Sequence, residues 1–524
     1  MNILQIEPTQ PWQWGRALPV AALFACFSLI LATLNNEFPI EFHPDESSKV
    51  RQIQSGSYDY HHPLLMLRAA ELMLSLTGGD DTRQQIVMAG RRTSALANAA
   101  AIFCLVLVAA RLGGPLASLT AGMFLVTNHS LFELAHYFKE DTWLLLGISG
   151  FLLALVHYDR APGLWRSGLL GAALGIAMSA KYTAVVLIPV AVGVVLGIGR
   201  RDYWRQIFAG LIACVGIMLI VNWPLVVELA SAKTAMLREL DLATGGHDGV
   251  GRGIPHGYYL WLGRTSTNPV VWALIAAYLA TLWPRRRSIS GAEWIIAVFP
   301  FAFGLLLSFF PQVSYRYFLP GTAILLLLAG LGSSVLARMR WCERAPLGRR
   351  QEQIVLAFVL IGGLTAQLPR LVTYYDGFLN GTRTQLVEAI EANVPLGGHL
   401  AQDKRVGLSA FDMPYHLHSA TFAADLGSFA ELRDRGIDYV AVTRRRYGPL
   451  FDKAIVAPNG DLDFSRRRAF YSRLFADGEL LFEVRQGPVK YLQPHLALYR
   501  LPSAEAADAT SIPHTRSATT DTAK

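Results

Sequence analysis

Apolar residues in this chain come in long blocks, separated by short polar stretches. Roughly eleven blocks stand out, at about 17–34, 93–110, 115–128, 142–158, 168–179, 183–198, 207–223, 268–283, 292–310, 318–336 and 353–369. Most are long enough, as helices, to cross about 30 Å of hydrocarbon. Hydrocarbon offers no partner to a backbone N–H or C=O, so such blocks must satisfy their own backbone as helices. The fifth and sixth are short and meet at "SAKYTA". The pattern therefore predicts an α-helical polytopic membrane domain of about 11 spans over residues 1–369.

Other stretches follow different periods. In 62–76, "HPLLMLRAAELMLSL", Leu and Met recur at helical spacing around Arg68 and Glu71. Pro63 suits a first helical turn, and an amphipathic helix lying on the membrane surface fits this segment. Residues 47–55 predict a shorter one. Beyond 370, "QLVEAIEANVP" reads as a helix with Leu386, Val387, Ile390 and Val394 on its apolar side, whereas "DYVAVT" and "LALYRL" alternate as strands do. A small α/β domain over 370–502 is expected, followed by an Ala-, Thr- and Ser-rich disordered tail at 503–524. No internal repeat is visible.

Composition agrees with the blocks. Of 524 residues, 52% are hydrophobic and only 16% charged, against about 25% charged in ordinary soluble domains. Mean hydropathy is +0.32. The net charge of +8 would point a soluble protein toward nucleic acid. Here it reports topology, and no nucleic-acid partner is expected. The loops "RLGG", "YDRAPGLWRS", "GRRDYWRQ", "PRRRSISG" and "ARMRWCERAPLGRRQE", with Arg16, hold 15 Lys and Arg in about 62 residues. The opposite loops hold about 13 in roughly 126. Basic loops stay cytoplasmic, which places loops 35–92, 128–141 and 224–267, and the C-terminal domain, on the outer side. The first block lacks a small-residue cleavage site and reads as an uncleaved helix. Cys26, Cys104, Cys214 and Cys342 form no zinc-site spacing and no disulfide framework.

Candidate chemistry sits where charges meet the outer membrane surface. Asp45 and Glu46 in "EFHPDESSKV" cap a helix in the simplest reading; in the sharper one, an acid there takes a proton. "AHYFKEDTW" places Lys139, Glu140 and Asp141 at the start of the fourth span. Arg91 and Arg92, Lys181 in "SAKYTA" and Arg316 in "SYRYFLP" lie on the side where basic residues are sparse. Each could simply snorkel toward headgroups. Together with the acids they suit an anion held beside a base, because cations near a phosphate leaving group stabilise its developing charge. His61 and His62 invite a metal, but no third ligand stands at suggestive spacing, so the metal remains unassigned. "TGGHDGVGRG" follows no strand, so it does not read as a nucleotide-phosphate loop; closure over a substrate is the other use open to it.

The order of these motifs resembles the GT-C superfold of membrane glycosyltransferases. The resemblance is to glycosyltransferase family 39 and the lipid A aminoarabinose transferases, relatives of the dolichyl-phosphate-mannose protein mannosyltransferases. It is carried by "HPDE", "HHPLL", "GRRTSAL", "AHYFKEDTWLLL", "LLGAALGIAMSAKYTAVVLIP" and "SYRYFLPGTAILLLLAG", across about 17–340. The resemblance implies inverting transfer of a sugar from a polyprenyl-phosphate donor to a hydroxyl of a lipid, glycan or protein. It assigns Asp45 as general base, Glu46 as its neighbour and Asp141 as the second acid of the catalytic set. Arg91, Lys181 and Arg316 become phosphate or sugar contacts, as do Arg92, Lys139, Glu140, His62, Tyr315 and Tyr317. "KED" departs from the pattern of many relatives, leaving open whether Glu140 or Asp141 enters the site. No cofactor is required, with room for a divalent cation. A bacterial inner membrane is implied, with the site and the C-terminal domain periplasmic. A flippase of lipid-linked saccharides would instead show pseudo-symmetric halves and ionisable residues within spans, which the sequence lacks. A non-catalytic envelope assembly partner is the third alternative.

Overall fold

The computed structural model describes residues 14–198, 202–245, 258–310, 314–338, 348–452 and 462–502. The tail at 503–524 and most of the glycine-rich stretch at 244–253 lie outside the described residues. The chain divides into two compact units, Met1–Asp376 and Gly377–Lys524.

The first unit is helical among its described residues. In chain order it contains α1 (Trp14–Thr33), α2 (Glu46–Ser55), α3 (Leu65–Thr77), α4 (Arg83–Val126), α5 (His129–Ala135), α6 (Asp141–Arg160), α7 (Leu164–Ala180), α8 (Leu187–Ile198) and α9 (Tyr203–Val221). There follow α10 (Trp223–Val227), α11 (Leu229–Gly245), α12 (Tyr258–Thr265), α13 (Pro269–Leu282), α14 (Gly291–Leu307), α15 (Leu319–Arg338), α16 (Gly348–Phe358) and α17 (Leu364–Leu379). Six helices among the described residues are long and apolar enough to cross a membrane, and four more apolar helices run 10–17 residues. The second and third expected spans lie within the single run α4. A straight 44-residue helix would reach about 66 Å, twice the hydrocarbon thickness. The run breaks at Gly114 (φ 80°, ψ −162°) before Pro115, where glycine tolerates the positive φ and proline supplies no N–H.

α4 and α15 form the centre. α4 packs on α1, α6 and α15; α6 leads to α7 and then α9; α13 closes on α15. α15 is buried nearly all round, as a helix wrapped by other helices must be. Small residues set the close approaches. A Cβ on Gly171 would overlap the Gly210 carbonyl, and one on Gly332 the Leu274 carbonyl, the device that lets membrane helices touch. On the periphery, Phe208, Leu211, Ile212 and Ile220 of α9 are exposed. Such an apolar face suits contact with lipid.

The two expected outer helices are present as α2 and α3. They pack on the first turns of α4 through Val50, Leu64, Met66, Leu67, Ala70, Ile86 and Val87, and Phe138 closes the same cluster. α3 begins after Pro63 rather than at it, with Leu64 at its N-cap.

The second unit carries α18 (Thr382–Asn393), α19 (Phe429–Asp434), α20 (Arg444–Phe451) and α21 (Leu462–Asp477) around one sheet. Its strands are β1 (His399–Asp403), β2 (His416–Ala420), β3 (Ile437–Thr443), β4 (Glu479–Val484) and β5 (Leu496–Arg500), in the order β2-β1-β3-β5-β4. β1 pairs in parallel with β2 and β3, while β5 runs antiparallel to β3 and β4. The expected helix and two strands correspond to α18, β3 and β5. Apolar clusters cover both faces, with Leu386, Ile390 and Leu400 in one and Phe429, Leu432 and Tyr471 in the other.

Candidate active site

The opening residues of α2 sit over the start of α4 and the segment before α6. Asp45 occupies the N-cap position of α2, but its carboxylate makes no capping hydrogen bond. Glu46 does not cap either. Its side chain is fully buried, taking Arg91 Nε at 3.1 Å on Oε1 and Arg91 Nη2 at 2.6 Å on Oε2. The backbone N–H of Phe138 also donates to Glu46 Oε1, at 2.9 Å. Arg91 Nη1 donates to the carbonyls of Asn36 and Phe38 at 2.8 and 2.5 Å, and the Phe38 ring lies 3.4 Å from the guanidinium. Both acids stand at the N-terminal end of α2, but neither spends its carboxylate on a capping hydrogen bond. Arg91 and Glu46 form a closed fork that pins the loop before α2, α4 and the loop before α6 together.

Asp45, by contrast, keeps its side chain 40% exposed. Its Oδ2 accepts from Lys139 Nζ at 2.5 Å and Arg316 Nη1 at 3.1 Å. Its backbone N–H donates to Nδ1 of buried His43 at 3.3 Å, and the His43 ring rests against Tyr137. Burial pushes the Asp45 pKa up, but Lys139, His43 and Arg316 outweigh it and hold the carboxyl well below the usual range.

The "KED" segment is buried throughout. Glu140 accepts from Lys49 Nζ at 2.6 Å, and His62 Nε2 lies 3.2 Å from its other oxygen. Asp141 opens α6, facing Lys181 Nζ at 2.8 Å and Arg316 Nε at 3.9 Å. Lys181 reaches it because α7 ends there: residue 181 is extended (φ −157°) and caps the helix through a backbone bond to Ala177. Tyr317, in the 3-10 turn Tyr315–Phe318, lies under Lys181 at 4.7 Å and Arg316 at 5.5 Å. Tyr315 shares that turn and is half-buried. Glu140 and Asp141 thus face different cations of one cluster.

Burial lowers the Lys49 ammonium to about 8, opposed mainly by Glu140. Burial also opposes the charge on Lys139, but Glu140, Asp45 and Asp141 outweigh it and raise its pKa. His62 falls to about 4, chiefly through burial, so it is neutral at pH 7 even beside Glu140. Lys49, Arg91, Lys139, Lys181 and Arg316 meet Asp45, Glu46, Glu140 and Asp141, leaving one positive charge in excess.

Not every residue singled out in the sequence joins this cluster. Arg92 is exposed on α4. The donors of Arg91 are engaged by Glu46 and the two carbonyls, which leaves the guanidinium no free edge for a substrate. His61 pairs with Glu239 at 3.0 Å instead. Sequence reasoning missed Lys49 and His43. Lys49 stands one helical turn after Asp45 and on its face, a signal that was legible once α2 was accepted as a helix. Among the described residues no group of three His, Cys, Asp or Glu side chains is arranged to hold a metal.

Comparison with known proteins agrees with this architecture. Residues 61–226 match the family described as dolichyl-phosphate-mannose-protein mannosyltransferase. No curated protein matches. Among solved structures, ArnT from Cupriavidus metallidurans bound to undecaprenyl phosphate is similar at 15% identity, with a TM-score of 0.53, over 91% of this chain and 97% of that one. Its apo state gives a TM-score of 0.52 at the same identity and coverage. The chain thus shares its fold with that membrane transferase, and its long apolar helices fit a multi-pass membrane protein.

Proposed function

We propose that this protein is an inverting glycosyltransferase that moves a sugar from a polyprenyl-phosphate donor to an acceptor hydroxyl at the outer face of the membrane. The observation that carries the reading is one half-exposed carboxylate, Asp45, paired with Lys139 and Arg316, with Lys181 joined to the same cluster through Asp141. The excess positive charge of the cluster matches a phosphodiester, which carries one negative charge. The undecaprenyl phosphate of the similar ArnT structure supports a polyprenyl-linked donor. Positive-inside counting of the loops supports the outer face.

The chemistry needs few parts. Lys139, Lys181 and Arg316 hold the phosphate, with Tyr317 shaping the floor beneath two of them. The acceptor oxygen bonds to the anomeric carbon from the side opposite the phosphate. Asp45 takes the hydroxyl proton, and the carbon–oxygen bond to phosphate breaks with its electron pair going to the phosphate. Cations near that oxygen stabilise the developing charge. Asp141 orients Lys181 and Arg316; Glu140 holds Lys49 and His62 beneath the base. Arg91 and Glu46 fix the scaffold. Lys and Arg supply the positive charge this step needs, so no metal is assigned to it. The acceptor hydroxyl belongs to a lipid, a glycan or a protein.

In membranes supplied with a polyprenyl-phosphate sugar, Asp45→Asn is expected to lower transfer by about 10²–10⁴-fold, the usual range for loss of a general base. Retention of wild-type turnover by that variant would remove Asp45 from the reaction.

A further inference from the structure

The ion pairs on Asp45 work against the role just given to it. A base is most effective when its proton affinity lies near the working pH. Both cations that touch this carboxylate converge on the same oxygen, Lys139 at 2.5 Å and Arg316 at 3.1 Å. The other charged or titratable groups acting on it are His43 from its own loop and Lys49 from α2. Covered in this way, the carboxylate is stabilised as an ion and its lone pairs on Oδ2 are occupied.

The two cations are not locked there. Lys139 also stands 3.6 Å from Glu140, and Arg316 reaches back toward Asp141 at 3.9 Å. Arg316 Nε and Asp141 Oδ2 are buried and lack hydrogen-bond partners. The neighbouring fork of Glu46 and Arg91 is different: both carboxylate oxygens and all three guanidinium nitrogens are engaged. One residue apart in sequence, Glu46 is thus in a closed pair and Asp45 in an open one. A guanidinium with an unengaged edge and an ammonium shared between two acids are the donors that an arriving phosphate oxygen would recruit.

We propose that Lys139 and Arg316 are exchangeable counterions: they pair with Asp45 until the donor phosphate draws them off, so the base is uncovered only when the donor is seated. The inference rests on the donor reading above and adds an order of events to it. Donor binds first; the acceptor then meets a carboxylate freed from its ion pairs. In the transfer step the acceptor O–H proton passes to Asp45 as the new glycosidic bond forms. The phosphate leaves with the electron pair of the broken bond, more negative than it arrived, and Lys139 and Arg316 are already on it. When it departs, both cations return to Asp45 and its proton is released to water.

The test is proton linkage measured by calorimetry on the full-length protein in detergent. The probe is a short isoprenyl methyl phosphodiester, which carries one negative charge and does not titrate in the range used. At pH 4.5, in two buffers of different ionisation enthalpy, binding should take up about a quarter of a proton as Asp45 moves toward an ordinary carboxylate value of about 4. Asp45→Asn should lose that share, whereas His62→Gln should keep it. An infrared band of a protonated aspartate, appearing on probe addition to the unmodified protein, would report the same event without a variant. Lys139→Gln should bind the probe about tenfold more weakly, with less uptake. Binding with equal uptake in wild type and Asp45→Asn overturns the exchange while leaving the donor reading intact. Failure of the phosphodiester to bind overturns both.

Discussion

Asp45 and Glu46 are adjacent acids with opposite fates. Glu46 turns into the protein and meets Arg91 with both oxygens; Asp45 stays half-exposed. A buried pair is weak evidence of net stability, but removing one partner leaves an uncompensated charge. Arg91→Met is therefore expected to destabilise the membrane unit by about 3–5 kcal/mol. The double variant Glu46→Gln, Arg91→Met should recover much of that, since no lone charge remains. Thermal unfolding in detergent checks both. A single variant as stable as the wild type would mean that the fork is not holding α2 to α4.

At the scale of elements, helix approach decides where the charges go. Gly90 on α4 faces the Phe138 ring, and a Cβ there would overlap it. The Phe138 backbone donates to Glu46 and accepts from Lys49, and the next residues are Lys139, Glu140 and Asp141. Gly90→Ala should therefore shift that loop and lower transfer at least tenfold, with little change in helix content. Transfer assays alongside circular dichroism separate this from misfolding; a wild-type rate would show that the loop tolerates the displacement. Lys181 depends in the same way on the end of α7, which places one side chain beside Asp141.

At the scale of the whole molecule, the two units offer separate handles. The basic loops predict an orientation that labelling can test. Native Cys342, in the loop "ARMRWCERAPLGRRQE", should be protected from an impermeant maleimide added outside intact cells, whereas a cysteine placed by Glu431→Cys should react. The reverse pattern would invert the assignment. In the second unit, Asp403 at the end of β1 is buried and accepts from the N–H groups of Ala423 and Thr443 and from the Tyr471 hydroxyl. Burial dominates those bonds and raises its carboxyl from 3.8 to about 6. Because the folded value lies above the unfolded one, the folded state binds more protons between them. Its contribution is fully present below pH 3.8 and fades as pH rises through about 6. On passing from pH 7.5 to 5, the unit should gain on the order of 1–2 kcal/mol. Hydrogen exchange of β1 and β3 amides in the full chain measures this. The gain should vanish in Asp403→Asn, and an identical pH response in that variant would assign it to other groups.

The sequence alone was enough for the membrane class, α2, α3, α18 and the strands β3 and β5. Each of these rests on local periodicity or on the demand that an apolar solvent makes of the backbone. It also singled out Asp45, Lys139, Glu140, Asp141, Lys181 and Arg316, because charges beside apolar spans are costly and few. It did not reveal β1, β2 or β4, whose short segments lack a distinctive alternation and acquire their register from neighbouring strands. Nor could it divide labour within the charge cluster. Arg91 and Arg316 are the same residue type, yet one is closed by Glu46 and two carbonyls and the other has an unengaged edge. Glu46 and Asp45 differ likewise. Which acid is buried and which is open depends on partners 45 to 271 residues away. Only the packing of α2 on α4, and of the Tyr315–Phe318 turn beside them, brings those partners into place.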